Sequence, residues 1–109
     1  MAVTSNLLID QGATFEVTIN YSDDNGNPSN LTGFSVQSQM RRSYYSANSI
    51  TISGNISDAI NGEITLTLPA TTTANIKPGR YVYDVNVSNA NVITRIVEGI
   101  ITVLPGVTR

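Results

Sequence analysis

Cysteine, histidine and tryptophan are all missing from the 109 residues, and lysine occurs once, at Lys77. Without thiols the fold has no disulfide and no thiolate metal site. Lacking His and Cys, it also lacks the commonest general base and the strongest side-chain nucleophile. Charge is scarce: six Lys and Arg stand against eight Asp and Glu, for a formal net charge of −2. Binding a phosphate backbone requires several clustered cations, and only Arg41 and Arg42 are adjacent, so no nucleic-acid partner is expected. No stretch approaches the roughly 18 apolar residues of a membrane-spanning helix, and no membrane partner is expected. The start, Met1-Ala2-Val3-Thr4-Ser5-Asn6, shows neither a basic region nor a long apolar core. It does not read as a signal peptide, and the expected place of synthesis is a cytoplasm.

What is present is strand chemistry. Ile and Val supply 22 residues against six Leu and two Met, while Ser, Thr and Asn together fill 36 positions. Thr, Val and Ile suit a pleated surface, and Asn suits turns; the Glu, Lys and Ala that dress helical surfaces are sparse. At this length one domain with one core is expected, spanning residues 1–109.

Alternation fixes most of the strands. Ala13 to Tyr21 sets Phe15, Val17, Ile19 and Tyr21 on one face and Thr14, Glu16, Thr18 and Asn20 on the other, the mark of a half-buried strand. Phe34 to Met40 repeats the pattern, as does Glu63 to Leu68. Arg41 to Ser49 reads as a loop, and Ile50 to Ile56 as a weaker strand broken at Gly54. Pro69 to Ile76 is expected to make one helical turn that Pro78 ends. A long last strand runs from Val92 to Leu104, with a bulge expected at Glu98-Gly99. About seven strands, each apolar on one side only, require two packed layers.

The segment Ile76-Lys77-Pro78-Gly79-Arg80-Tyr81-Val82-Tyr83 is a tight turn feeding a strand. Such a Gly-x-Tyr start is how an immunoglobulin-like sandwich builds its tyrosine corner, in which the phenol anchors the preceding turn. Tyr81 and Tyr83 are the structural candidates. The fold class expected is all-β, an immunoglobulin-like two-sheet antiparallel sandwich.

Candidate chemistry is thin. The carboxylates Asp10, Glu16, Asp23, Asp24, Asp58, Glu63, Asp84 and Glu98 are scattered along the chain, and solvated strand faces explain them; no catalytic residue and no enzymatic activity are expected. Asp23-x-Asn25-x-Asn27 imitates the start of a calcium loop, but Pro28 stands where glycine is required, so no metal site is expected. Cofactor-binding motifs are likewise missing, and no cofactor is expected. Asn-x-Ser/Thr sequons begin at Asn20, Asn30, Asn55 and Asn86, as chance allows in so polar a chain. The best contact candidate is Arg41-Arg42-Ser43-Tyr44-Tyr45, where Arg41, Arg42, Tyr44 and Tyr45 are of the types enriched at interface hot spots. The same types could stack on sugar rings.

In order along the chain come Ile9-Asp10-Gln11-Gly12-Ala13-Thr14-Phe15, then Gly26-Asn27-Pro28-Ser29-Asn30-Leu31-Thr32-Gly33-Phe34, then Met40-Arg41 and Asn61-Gly62-Glu63-Ile64-Thr65-Leu66. Pro78-Gly79-Arg80-Tyr81-Val82-Tyr83-Asp84-Val85 and Gly99-Ile100-Ile101-Thr102-Val103 close the series. This succession resembles small virion structural proteins of tailed bacteriophages, including cyanobacterial phages, and the immunoglobulin-like N-terminal domains of phage baseplate upper proteins. Each motif is a turn-plus-strand signature, together covering nearly the whole chain. The resemblance implies a non-enzymatic sandwich built into a virion, and it carries no active-site residue across. The partners it implies are other virion proteins, with the chain homo-oligomeric or repeated in a symmetric assembly of the tail, neck or baseplate. Two alternatives stand beside that expectation: a capsid decoration protein on the head, and a carbohydrate-binding module for host-surface polysaccharide.

Overall fold

The computed structural model describes residues 3–22, 26–27 and 30–107. The calcium-loop mimic at Asp23, Asn25 and Pro28 therefore lies outside the described residues, as do Asp24, the first two residues and the last two.

The described residues are all-β apart from one helical turn. In order come β1 (Val3–Thr4), β2 (Leu7–Asp10), β3 (Phe15–Asn20), β4 (Ser35–Arg41), β5 (Ile50–Asp58), β6 (Glu63–Leu68), α1 (Ala70–Thr73), β7 (Gly79–Asn89) and β8 (Val92–Leu104). The lateral order is β1-β8-β7-β4-β5-β6-β3, with β2 also on β8. The two halves of this curled sheet meet across one core. Phe15 of β3 and Ile64, Leu66 and Leu68 of β6 join Met40 of β4, Tyr81, Tyr83, Val85 and Val87 of β7 and Ile101 of β8 in it. The alternating positions read from the sequence are the ones buried, since period 2 sends every second side chain inward.

Three features depart from the sequence reading, each for a physical reason. First, β5 is not broken at Gly54. Ile50 to Ile52 pair with β4, while Ser53 to Asp58 pair with β6, so one strand serves both layers. Gly54 sits at the crossover, where a Cβ would lie 2.6 Å from Cγ1 of Val36; the missing side chain lets β5 pass.

Second, the bulge falls at Ile96 and not at Glu98-Gly99. Val85 faces Val97 and Asn86 faces Arg95, leaving Ile96 extra. The insertion turns two consecutive apolar residues inward: Ile96 and Val97 are both buried. Third, the sheet is mixed. β1 and β2 run parallel to β8, with Val3 beside Val97 and Leu7 to Asp10 beside Ile101 to Leu104. A parallel partner needs a long connection, and here almost the whole chain provides it.

The helical turn is fastened to the β2–β3 turn. Buried Thr73 donates from Oγ1 to Ala13 O at 2.8 Å and accepts from Gly12 N at 3.2 Å. Gln11 adds a donation from Nε2 to Ile76 O at 3.1 Å and accepts at Oε1 from Gly106 N at 3.1 Å. One glutamine thus ties three segments of one end together.

Candidate functional site

The end of β4 and the β4–β5 loop hold the four candidate contact residues, and the structure divides them by role. Arg41 ends β4 and turns back on its own loop. Its Nη1 donates to Ser46 O at 2.7 Å and Ala47 O at 3.3 Å, and Nη2 donates to Gln39 Oε1 at 3.1 Å. Ser46 N donates to Ser43 O at 3.1 Å, closing the turn. Arg42 lies over the ring of Tyr81, 5.0 Å from its centroid, a cation–π arrangement. Both arginines are engaged by the scaffold. The two tyrosines are not: Tyr44 is 75% exposed and Tyr45 97%. Burying such rings against a partner gains more than leaving them in water.

Beneath Arg42 the turn into β7 is built on Gly79, whose φ of +141° is open to glycine and strained for other residues. Tyr81 follows, and its phenol donates to Lys77 O at 2.6 Å, which closes the turn four residues back. Tyr83 does something else. Its phenol donates to Ser5 O at 2.6 Å and so reaches the N-terminal strands. Burial pushes the Tyr83 phenol above its ordinary value of 10.0. The sequence placed Tyr83 inward and gave no sign of Ser5 as its acceptor.

On the outer face of the sheet, Tyr44 rims a shallow depression of about 290 Å³ floored by Gln39, Asp84, Asn86, Arg95 and Glu98. Strand register sets Asp84 opposite Glu98, a pairing hidden by their separation in sequence. Arg95 bridges them, with Nε 3.3 Å from Asp84 Oδ2 and Nη1 3.4 Å from Glu98 Oε2. These pairs are solvated and contribute little to stability. Asn86 Oδ1 is different: it is buried and has no hydrogen-bond partner among the described residues. Among the described residues, no group of three or more Asp, Glu, His or Cys could hold a metal ion, and no helix is long and apolar enough to cross a membrane.

The architecture defines an all-β protein whose curled mixed sheet closes over one core, and solved structures share it. No protein-family model matches the chain, and no curated protein matches it in sequence. The N-terminal domain of phage TP901-1 ORF48 superposes with a TM-score of 0.56 at 12% identity, over 91% of this chain and 84% of that one. InlP of Listeria monocytogenes gives a TM-score of 0.52 at 15% identity, over 94% of this chain. The chain corresponds to 28% of the length of InlP. Identities this low speak to the fold alone.

Proposed function

We propose that this chain is a non-enzymatic structural subunit of a bacteriophage particle, a docking module of the tail, neck or baseplate. The observation that carries the reading is the match with the phage TP901-1 ORF48 domain, because it spans most of both chains. The motif succession resembling virion proteins supports it from the sequence side. The surface suits the role: charge is low, and packing it against neighbours strands few buried ions. Tyr44 and Tyr45 stand on a loop whose arginines hold it in place, and they supply the contact. Quantitative mass spectrometry of purified heads and tails tests the reading. Recovery with tails in small fixed multiples is expected. Recovery with tail-less heads in many copies moves the chain to capsid decoration, and absence from particles ends the virion reading.

One observation favours a second reading. Asn86 Oδ1 is buried and unpaired among the described residues, and its side chain lines the outer depression with Gln39, Asp84 and Tyr44; a rotation of the amide would present that oxygen to a sugar hydroxyl while Tyr44 stacks on the ring. Chemical-shift changes on titration with host polysaccharide, lost in Tyr44→Ala, are expected on this reading; an unchanged spectrum rules it out.

A further inference from the structure

The two lateral edges of the sheet are finished differently. At one edge, β1 and β2 are interrupted between Thr4 and Leu7, and Asn6 Oδ1 accepts from Ile100 N at 3.1 Å. A side chain takes the place of a ladder bond there, and the broken edge is a poor template for another strand. The other edge is β3, which pairs with β6 without interruption from Phe15 to Asn20. It carries one charge, Glu16, with no proline and no bulge. Charge, proline and bulges are the usual devices that keep an edge strand from pairing with another chain. β3 has almost none of them.

The parity of the free edge can be read off. Tyr21 N donates to Gly62 O at 2.8 Å, so the odd-numbered backbone groups of β3 point at β6. Those of Glu16, Thr18 and Asn20 then point away, and among the described residues no backbone partner meets them. Next to this edge the inward residues Val17, Ile19 and Tyr21 are only half-buried. With Val3 and Leu7 they line an apolar cleft of about 240 Å³ between β3 and the N-terminal strands.

We propose that β3 pairs antiparallel with β3 of a second copy of this chain, about a two-fold axis at Thr18. The self-complementarity of the strand argues for this occupant. With Thr18 opposite Thr18 of the copy, Glu16 meets Asn20 and Val17 meets Ile19. Like charges never face each other, and apolar residues stay on the core side. All three outward-pointing residues become hydrogen-bonded pairs, about six new backbone bonds in all. Centring the axis on Val17 or on Ile19 would keep the same parity but pair only two of the three outward-pointing residues within the strand, about four bonds in place of six. An axis between Val17 and Thr18 would set apolar residues against polar ones across the pair. The copy's Val17 and Ile19 would also extend over the open side of the cleft. The interface is isologous and does not depend on the virion reading, so either can fail alone.

The chain contains no cysteine, which makes a single introduced thiol a clean reporter. In a hydrogen-bonded antiparallel pair the opposed Cα atoms are about 5.5 Å apart, inside disulfide reach. Under mild oxidation Thr18→Cys should cross-link to a dimer. Glu16→Cys and Asn20→Cys should each give no covalent dimer alone and cross-link when mixed. By sedimentation the wild type should run at twice the chain mass and Thr18→Lys, which opposes two ammonium groups, at one. Thr18 is exposed, so circular dichroism should show the fold kept. A wild type that stays at one chain mass at every concentration overturns the proposal and leaves the edge to a strand of a different protein. Cross-linking of Glu16→Cys alone, or a Thr18→Lys variant that remains dimeric, overturns it too.

Discussion

The phenol of Tyr83 and the carbonyl of Ser5 are joined by a hydrogen bond of 2.6 Å across 78 positions of sequence. It is the side-chain bond by which β7, inside the sheet, holds the crossing between β1 and β2. Tyr83→Phe keeps the ring in the core and deletes only that bond. A loss of about 1 kcal/mol is expected in denaturant unfolding, with hydrogen-exchange protection falling first over residues 3–10. Unchanged protection there would show that the parallel ladder alone holds the segment.

The same phenol links stability to alkaline pH. Its folded value is raised above 10.0 by burial, so the folded state retains the proton where the unfolded chain has lost it. The contribution is complete below pH 10 and is lost as pH rises from 10.0 through the raised folded value. Tyr83→Phe should flatten that part of the stability–pH curve relative to wild type.

Gly99 is the other half of this arrangement. It lies opposite Tyr83, and a Cβ there would meet Ser5 O at 2.2 Å and Ser5 C at 2.8 Å. Those atoms are backbone and cannot swing aside. Gly99→Ala should cost about 1–3 kcal/mol, as overpacking does, and should loosen the N-terminal strands more than the rest of the sheet. Thermal unfolding coupled to exchange measurements reads both.

Tyr81→Phe removes the donation to Lys77 O and should cost about 1 kcal/mol. Arg42→Ala removes the cation above the ring and should cost less. The double variant should lose no more than the sum, because the hydroxyl bond and the ring-face contact use different parts of Tyr81. A larger coupled loss in the double-mutant cycle would mean that Arg42 also sets the turn.

Tyr44→Ala and Tyr45→Ala should leave stability within about 0.5 kcal/mol, since both rings are exposed. If these rings make the docking contact, the double variant should fold normally and fail to enter particles, measured by its abundance in purified virions. Normal incorporation would locate the contact elsewhere.

Strands β3, β6, β7 and β8 were legible because each buries one face only, and period-2 alternation records that directly. The helical turn at Ala70 was legible from its flanking prolines. What escaped reading depends on partners. Gly54 looks the same in a sequence whether it breaks a strand or lets one cross between layers. Leu7-Leu8-Ile9 announces burial but not direction, and its parallel neighbour stands at the far end of the chain. Glycine drew the expected bulge to Gly99, where close approach of Ser5 is what excludes a side chain. At the candidate site, residue types gave the loop, but only packing separates the arginines that brace it from the tyrosines that it presents.

The parallel seating of β2 on β8 also bears on the order of folding. Leu7 to Asp10 leaves the ribosome long before Ile101 to Leu104, the segment it pairs with. Throughout that interval the first strand has no native neighbour, and closing so long a loop is slow. The β3–β6 and β7–β8 ladders can form without it. The N-terminal strands are therefore expected to join the fold after its nucleus has formed, so variants there should raise the unfolding rate while leaving the folding rate nearly unchanged.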